Sequence, residues 1–342
     1  MVTIADVARH AGVATSTVSY VLSGKRSISP ETRQRVNASV DALGYRPNAS
    51  ARALASNRSN VLALVIPLRA DMHVPVLMQF AAAVVTSARR YDHDVLLLTA
   101  DEGAAGLERI QQSSLVDAVV VMDIELHDER VPLLRGLDLP SMLIGTPLDS
   151  DGLTCIDLDF VQAAELCVDH LADLGHQDVA LLGTPSAVYE RQTAFAHRTL
   201  EGFRSAARRR GVHGVETPCE PTHEAVLKTV QELLTQEPGL TGLVVQNEPI
   251  IGPLLEVLRR LGRRVPEDMS VLAICADDVA EGQSPRLSSV SIPADEIGGR
   301  AVDLLIGKLD GLAPAPTTLV PAVLTARASS GPAPQPDRST TA

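Results

Sequence analysis

The sequence predicts an all-α helix-turn-helix headpiece followed by an α/β body with two parallel sheets. Three observations carry that prediction. Residues 1–60 hold short amphipathic segments punctuated by glycine. From Asn60 onward, apolar runs of strand length alternate with helix-length segments, the rhythm of parallel sheets with helices on both faces. The charge is also divided: eight Lys and Arg against three acidic residues give residues 1–60 a net +5, leaving −17 on the other 282 residues of a chain whose total is −12. A basic module suited to a polyanion is thus joined to an acidic body that would not bind one.

In the headpiece, Thr3 caps a first helix with Asp6 near its start and Val7 and Ala8 turned inward, and Gly12 ends it. A second helix runs from about Thr15 to Leu22 and stops at Ser23-Gly24. Ser29-Pro30-Glu31 starts a third, with serine as cap, proline in the first turn and an acid at the positive end of the dipole. That helix keeps Val36, Val40 and Leu43 on one face before Gly44. In the body, VLALVIP, DVLLLTA, DAVVVMD, SMLIGTP, DVALLG, GLVVQN and SVLAICADD read as strands. VPVLMQFAAAVVTSARRY and FVQAAELCVDHLADLG read as amphipathic helices between them. About 265 residues with more than seven strands imply two sheets rather than one. The tail SSGPAPQPDRSTTA is Pro/Ser-rich, lacks a leucine heptad and reads as disordered. The expected boundaries are 1–46 for the helix-turn-helix, 47–59 for a linker, 60–328 for the body and 329–342 for the tail.

At 342 residues, 45% hydrophobic and 21% charged, the chain needs no disulfide or metal to fold. Cys155, Cys167, Cys219 and Cys275 are scattered without a CxxC pair, which predicts buried free thiols and no structural zinc. No metal or cofactor is expected. The N-terminus, broken by Asp6 and Arg9, reads as neither a signal peptide nor an anchor, which places the protein in the cytoplasm.

The second helix addresses DNA. In a helix-turn-helix the N-terminal residues of this element enter the major groove, where short polar side chains reach base edges and phosphates. Thr15, Ser16 and Thr17 sit at that end and Tyr20 lies one turn on, while Val18 and Val21 face the other helices. Lys25 and Arg26, just beyond, suit a phosphate or a guanine edge. In the body, ligands of open α/β sheets bind at the carboxyl ends of strands. The polar residues there are Arg69 and Asp71, Asp101, Asp123, Asn247 and Glu248, and Asp277 and Asp278. Carboxylates and amides facing a cleft suit the hydroxyls of a sugar or the edges of a base.

VTIADVARHAGVATSTVSYVLSGKRSISPETRQRV followed by LGYRPNASARALASNRSNVLALVIP resembles the N-terminus of the LacI/GalR family of bacterial repressors. The resemblance implies a periplasmic-binding-protein-like core of two Rossmann-like lobes with an effector, a sugar by family habit, between them. It implies a homodimer on a pseudo-palindromic operator. It also makes PNASARALASNRS a hinge helix that forms on the operator, with Leu54 as the minor-groove wedge and Asn48, Ala51 and Ala55 beside it. Within the body it points to Asp277, the first acid of CADD, and to Asn247 as effector ligands.

Two departures stand out. The serine usual before the recognition helix is Ala14, so Thr15 is the expected substitute cap, leaving Ser16 and Tyr20 as the stronger candidates for base contacts. The arginine usual four residues before the aromatic of the RxxGF-type segment is Thr199, with Arg198 adjacent and rotated by roughly 100°. Tyr189, Glu190 and Arg191 are alternative pocket groups. Two other readings compete: a solute-binding component of transport, against which the basic headpiece argues, and an enzyme on a doubly wound fold. The sequence has no GxxxxGK[ST], GxSxG or HExxH motif, and His170 and His176 read as a surface or capping pair.

Overall fold

The computed structural model describes residues 2–23, 26–45, 58–67, 69, 73–99, 103–113 and 115–334. The chain divides into two compact units, residues 1–60 with 114–117, and the remainder.

The first unit holds α1 (Ile4–Ala11), α2 (Thr15–Ser23) and α3 (Pro30–Leu43). Thr3 and Asp6 form a capping box, and Gly12 ends α1 at φ 62°. The Ser29 hydroxyl accepts from the Thr32 amide at the start of α3. Val7, Ala8, Ala11, Val18, Val36 and Tyr45 form the core of this unit, with Val21, Val40 and Leu43 packed on it.

The body has two six-stranded sheets. The first lobe contains β1 (Val61–Val65), α4 (Val74–Arg89), β2 (Asp94–Leu98), α5 (Gly103–Ser113), β3 (Ala118–Val121), α6 (Val131–Gly136), β4 (Ser141–Ile144) and β5 (Cys155–Leu158). The chain then crosses to the second lobe with α7 (Phe160–Asp173), β6 (Asp178–Gly183), α8 (Ser186–Glu190), α9 (Ala194–Arg210), β7 (His213–Pro218), α10 (His223–Gln236), β8 (Gly242–Val245), α11 (Ile251–Arg260), β9 (Ser270–Cys275), α12 (Asp277–Glu281) and β10 (Ser288–Ser291). It returns with α13 (Ala294–Leu309) and β11 (Thr317–Val320), and β12 (Leu324–Thr325) crosses once more. The first sheet runs β11-β5-β4-β3-β1-β2, all parallel. The second runs β12-β10-β9-β8-β6-β7, parallel except for β12.

The lobes are therefore tied at three chain crossings, around Asp159, Ile292-Pro293 and residues 321–323. The α4 helix packs on α13 in the first lobe, and α7 on α9 in the second. The last contact is close: a Cβ on Gly202 would lie 2.1 Å from the Val161 carbonyl oxygen, so only glycine lets the helices approach this far.

All seven strands read from apolar runs are present. Five more were not read, because β5, β7, β10, β11 and β12 are short or polar-interrupted; β5 itself carries Asp157. The four cysteines are buried and free. Burial pushes the Cys155 and Cys275 thiols up to about 12 and raises Cys167 as well, so the reactive thiolate is suppressed.

Two expectations are corrected. His176 is not a surface residue: it is fully buried and hydrogen-bonds Thr241 Oγ1 at 2.8 Å, Ser270 Oγ at 3.0 Å and the Gly331 carbonyl at 3.1 Å. Nor is the tail disordered from its first residue: residues 329–334 form no helix or strand, but Ser329 is fully buried, its carbonyl accepts from the Val271 amide at 2.8 Å and its hydroxyl donates to the Val271 carbonyl. Its hydroxyl satisfies a backbone carbonyl of β9, although composition alone assigned this serine to the tail. Residues 335–342 lie outside the described residues.

Candidate functional site

Two sites emerge, one in each unit. In the helical unit, Thr15, Ser16 and Tyr20 are exposed and Thr17 is half-buried, whereas Val18 is fully buried. Ser16 and Tyr20, four residues apart, share the outer face of α2. The Arg26 guanidinium lies 5.7 Å from the centroid of the Tyr20 ring, a cation–π contact that places the two side chains together. Thr15 does not take over the cap: α2 begins at Thr15, and the Ala14 carbonyl accepts from the Thr17 and Val18 amides, so the cap position belongs to Ala14, which has no hydroxyl to offer. Lys25, Asn48, Ala51, Leu54 and Ala55 lie outside the described residues.

In the body, a cavity of about 320 Å³ opens where the carboxyl ends of strands from both sheets converge. Asp123 follows β3, Gly145 follows β4, Asp157 lies in β5, Thr184 follows β6, Gln246 and Asn247 follow β8, and Ile292 follows β10. Three of the four phenylalanines in the chain, Phe80, Phe160 and Phe195, line it along with aliphatic side chains.

A short antiparallel bridge spans the lobes beside this cavity. The Leu126 amide donates to the Gln192 carbonyl at 2.8 Å and the Ala194 amide to the Ile124 carbonyl at 2.9 Å, pairing Glu125 with Thr193. Each bridging segment is entered through a left-handed residue, Asp123 at φ 54° and Gln192 at φ 58°, a conformation to which aspartate is better suited than most side chains. Arg130 locks the first segment: it forms a bidentate pair with Asp128 at 2.8 and 2.6 Å and donates to the Met122 and Asp123 carbonyls. A second interlobe approach brings His73 Nδ1 within 3.6 Å of Glu248 Oε1.

Several charged groups of the wall face one another. Asp123 pairs with Arg69, which also reaches Glu125 at 3.5 Å. Burial pushes Asp123 up against the opposing charges of Arg69, Arg191 and Arg130, and it likewise raises Glu248 and lowers His73. Asp157 is pushed up to about 7 by burial, opposed in part by Arg198. Asn247 donates to the Cys219 carbonyl at 2.6 Å.

Of the expected effector residues, Asp123 and Asn247 line the cavity and Arg69 stands behind Asp123. Asp71 and Asp101 lie outside the described residues. Asp277 does not line it; its carboxylate accepts from Ser291 Oγ at 2.9 Å and from Arg327 Nη2 at 3.2 Å. Nor do Tyr189 and Arg198. Tyr189 packs against Gly183 and edge-on to His197, and Arg198 sends its charge toward Asp157 and Cys155. Thr199 is fully buried, donates to the Phe195 carbonyl at 3.0 Å and accepts from Gln246 at 2.5 Å, and the arginine that does line the cavity is Arg191. Sequence reading missed Phe80, Phe160, Phe195, His73, Asp157 and Gln246. Their rarity in a chain with 2% aromatic residues was the one signal the phenylalanines gave.

Comparison with known proteins matches both units. Residues 3–48 fit the family model described as bacterial regulatory proteins, lacI family, and residues 168–330 fit the periplasmic binding protein-like domain. Catabolite control protein A of Staphylococcus epidermidis is 29% identical over 310 residues, covering 89% of this chain and 91% of that protein. The HTH-type transcriptional regulator CelR of Thermobifida fusca is 28% identical over 330 residues, covering 93% and 95%. Among solved structures, a CelR–cellobiose complex superposes with a TM-score of 0.69 at 25% identity, covering 96% of this chain and all of that one. The lac repressor dimer bound to operator and an anti-inducer superposes at 0.81 with 22% identity, covering 96% and 99%, a likeness of fold. These relatives are named as regulators of transcription, not as enzymes. With the helix-turn-helix and the two-lobed body both matched, and in the order the relatives have them, the chain belongs to the LacI family of DNA-binding bacterial transcription regulators.

Proposed function

We propose that the protein is a ligand-responsive repressor that binds a pseudo-palindromic operator as a homodimer in the cytoplasm and takes a sugar as effector between the lobes of its body. The observation that carries the reading is the cavity at the carboxyl ends of both sheets, walled by residues of both lobes and flanked by the backbone bridge between residues 124–126 and 192–194. A ligand held there has differential contacts with the open and closed relations of the lobes, which is what a shift between two states requires. The CelR–cellobiose complex supports a sugar as the ligand class.

On the DNA side, Thr15, Ser16, Thr17, Tyr20 and Arg26, with Lys25, read the major groove and its phosphates. Asn48, Ala51, Leu54 and Ala55 serve the minor groove through the hinge segment. A twofold dimer presents two such helices to two half-sites. The surface of the first lobe supports it: Val74, Met78 and Val85 lie within about 40° of one another on the exposed face of α4. Beside them the edge strand β2 exposes Leu96 and Leu97. An apolar stripe next to an unpaired sheet edge is a face that a second copy covers.

The test uses an operator recovered by binding-site selection, with cellobiose as the first sugar probe. Effector and operator are expected to change each other's affinity by one and the same factor, 5-fold or more. A sugar that binds while leaving operator affinity unchanged would refute the regulatory coupling.

A further inference from the structure

Among the buried polar atoms of the cavity wall that have no hydrogen-bond partner, which include His73 Nδ1 and Thr184 Oγ1, two are oxygens that only accept: Asp157 Oδ2 in the carboxylate form and Gln246 Oε1. Asp157, on β5 of the first lobe, is 6% exposed; the Leu158 and Thr146 amides hydrogen-bond its carboxylate, yet Oδ2 has no partner. Gln246, after β8 of the second lobe, is 7% exposed, and its Oε1 likewise has none. The orientation of that amide is set by its neighbours. Nε2 faces the Phe195 carbonyl at 3.4 Å and Thr199 Oγ1 at 2.5 Å, and the Thr199 hydroxyl proton is already committed to the Phe195 carbonyl. Both neighbours therefore take a donor, which leaves the Gln246 carbonyl oxygen unserved. Leaving two buried acceptors unpaired is costly, and both residues line the same cavity.

Charged groups at the site face one another: Asp123 pairs with Arg69 and also faces Arg191, Asp157 faces Arg198, and Glu248 approaches the His73 imidazole. The rest of the lining is mostly apolar. Phe80, Phe160 and Phe195, with Phe160 and Phe195 at 5.6 Å between ring centroids, provide flat apolar walls.

We propose that Asp157 Oδ2 and Gln246 Oε1 are a pair of specificity-determining acceptors, one from each lobe, that read two hydroxyl donors of a neutral ring whose apolar face rests on the phenylalanine wall. This rests on the effector reading above and refines it, because it names the atoms that select the ligand and makes the ligand itself a hydrogen-bonded tie between the lobes. A glycoside has this chemistry: hydroxyl donors at the ring edge and C–H groups on its faces.

The test is calorimetric titration of the full-length protein with methyl β-D-glucopyranoside, cellobiose and 4-nitrophenyl β-D-glucopyranoside. Phenethylamine and glucose 6-phosphate serve as cationic and anionic probes. A neutral glycoside is expected to bind, and Asp157→Leu and Gln246→Met are each expected to weaken it about tenfold or more, the loss of one hydrogen bond to a buried acceptor. Asp157→Asn, which keeps a carbonyl acceptor, is expected to weaken it less than Asp157→Leu. Urea unfolding midpoints of the variants separate lost affinity from lost fold. If a glycoside binds the wild type and the Leu and Met variants bind it equally well, the acceptor pair is overturned while the sugar reading stands. Binding of the charged probes alone would overturn the neutral class, and binding of no probe to the wild type would overturn the acceptor pair together with the sugar reading.

Discussion

Asp157 shows how one residue ties stability to recognition. It occupies a buried strand position at the cavity wall, where burial pushes its carboxyl up to about 7 against the partial relief of Arg198, with Asp159 and Cys155 the other titratable groups facing it. A folded-state value above the unfolded one, 3.8, means that the folded form holds the proton more tightly. Stability from this group is therefore greatest at low pH and declines as the pH rises from about 4 through about 7. Urea unfolding of the protein without effector is expected to show wild type losing roughly 2–3 kcal/mol relative to Asp157→Asn between pH 5 and pH 8. Parallel pH profiles for the two proteins would show that the carboxyl is not desolvated in the free protein.

At the scale of the element, α2, the proposed recognition helix, has a weakened start. Ala14 holds its cap position and has no hydroxyl to offer. Its outer face is left to Ser16 and Tyr20, with Arg26 resting on the Tyr20 ring. Restoring the hydroxyl by Ala14→Ser is expected to stabilise the helical unit by about 0.5–2 kcal/mol, read as a higher unfolding midpoint for amide exchange in residues 3–43. An unchanged midpoint would mean that water already serves the amides at this helix end. The bridge between 124–126 and 192–194 is the corresponding element of the body. Two left-handed residues and the Arg130–Asp128 pair build it, and none of them belongs to a regular strand.

For the whole molecule, the proposed dimer makes the exposed stripe of Val74, Met78 and Val85 beside β2 the surface on which operator binding would depend, because a single recognition helix covers a single half-site. Met78→Asp combined with Val85→Asp is expected to convert a dimer into a monomer in sedimentation and to cost operator affinity 100-fold or more at nanomolar protein. The glycoside-induced thermal shift is expected to persist, since neither residue lines the cavity. A double variant that sediments as a dimer would place the interface elsewhere.

The sequence by itself determined the order of the units, the three headpiece helices with their Thr3 and Ser29 caps, the seven apolar strands, and the rule that ligand-facing groups follow strand ends, which located Asp123 and Asn247. Those are local properties: caps, periodicity and run length act within a few residues. The tertiary structure decided the rest. Polar-interrupted β5 is a strand because β4 and β11 pair with it on either side, so Asp157 became a cavity wall. Phe80, Phe160 and Phe195 belong to three separate helices, and only the meeting of two lobes turned them into one surface. Arg198 and Thr199 were a question of helix rotation, and packing against Phe195 and Gln246 buried Thr199 and left the cavity to Arg191. Burial and partner choice depend on residues far away in sequence, and at Asp157, Gln246 and Arg191 that distance is what separated the legible part of the site from the rest.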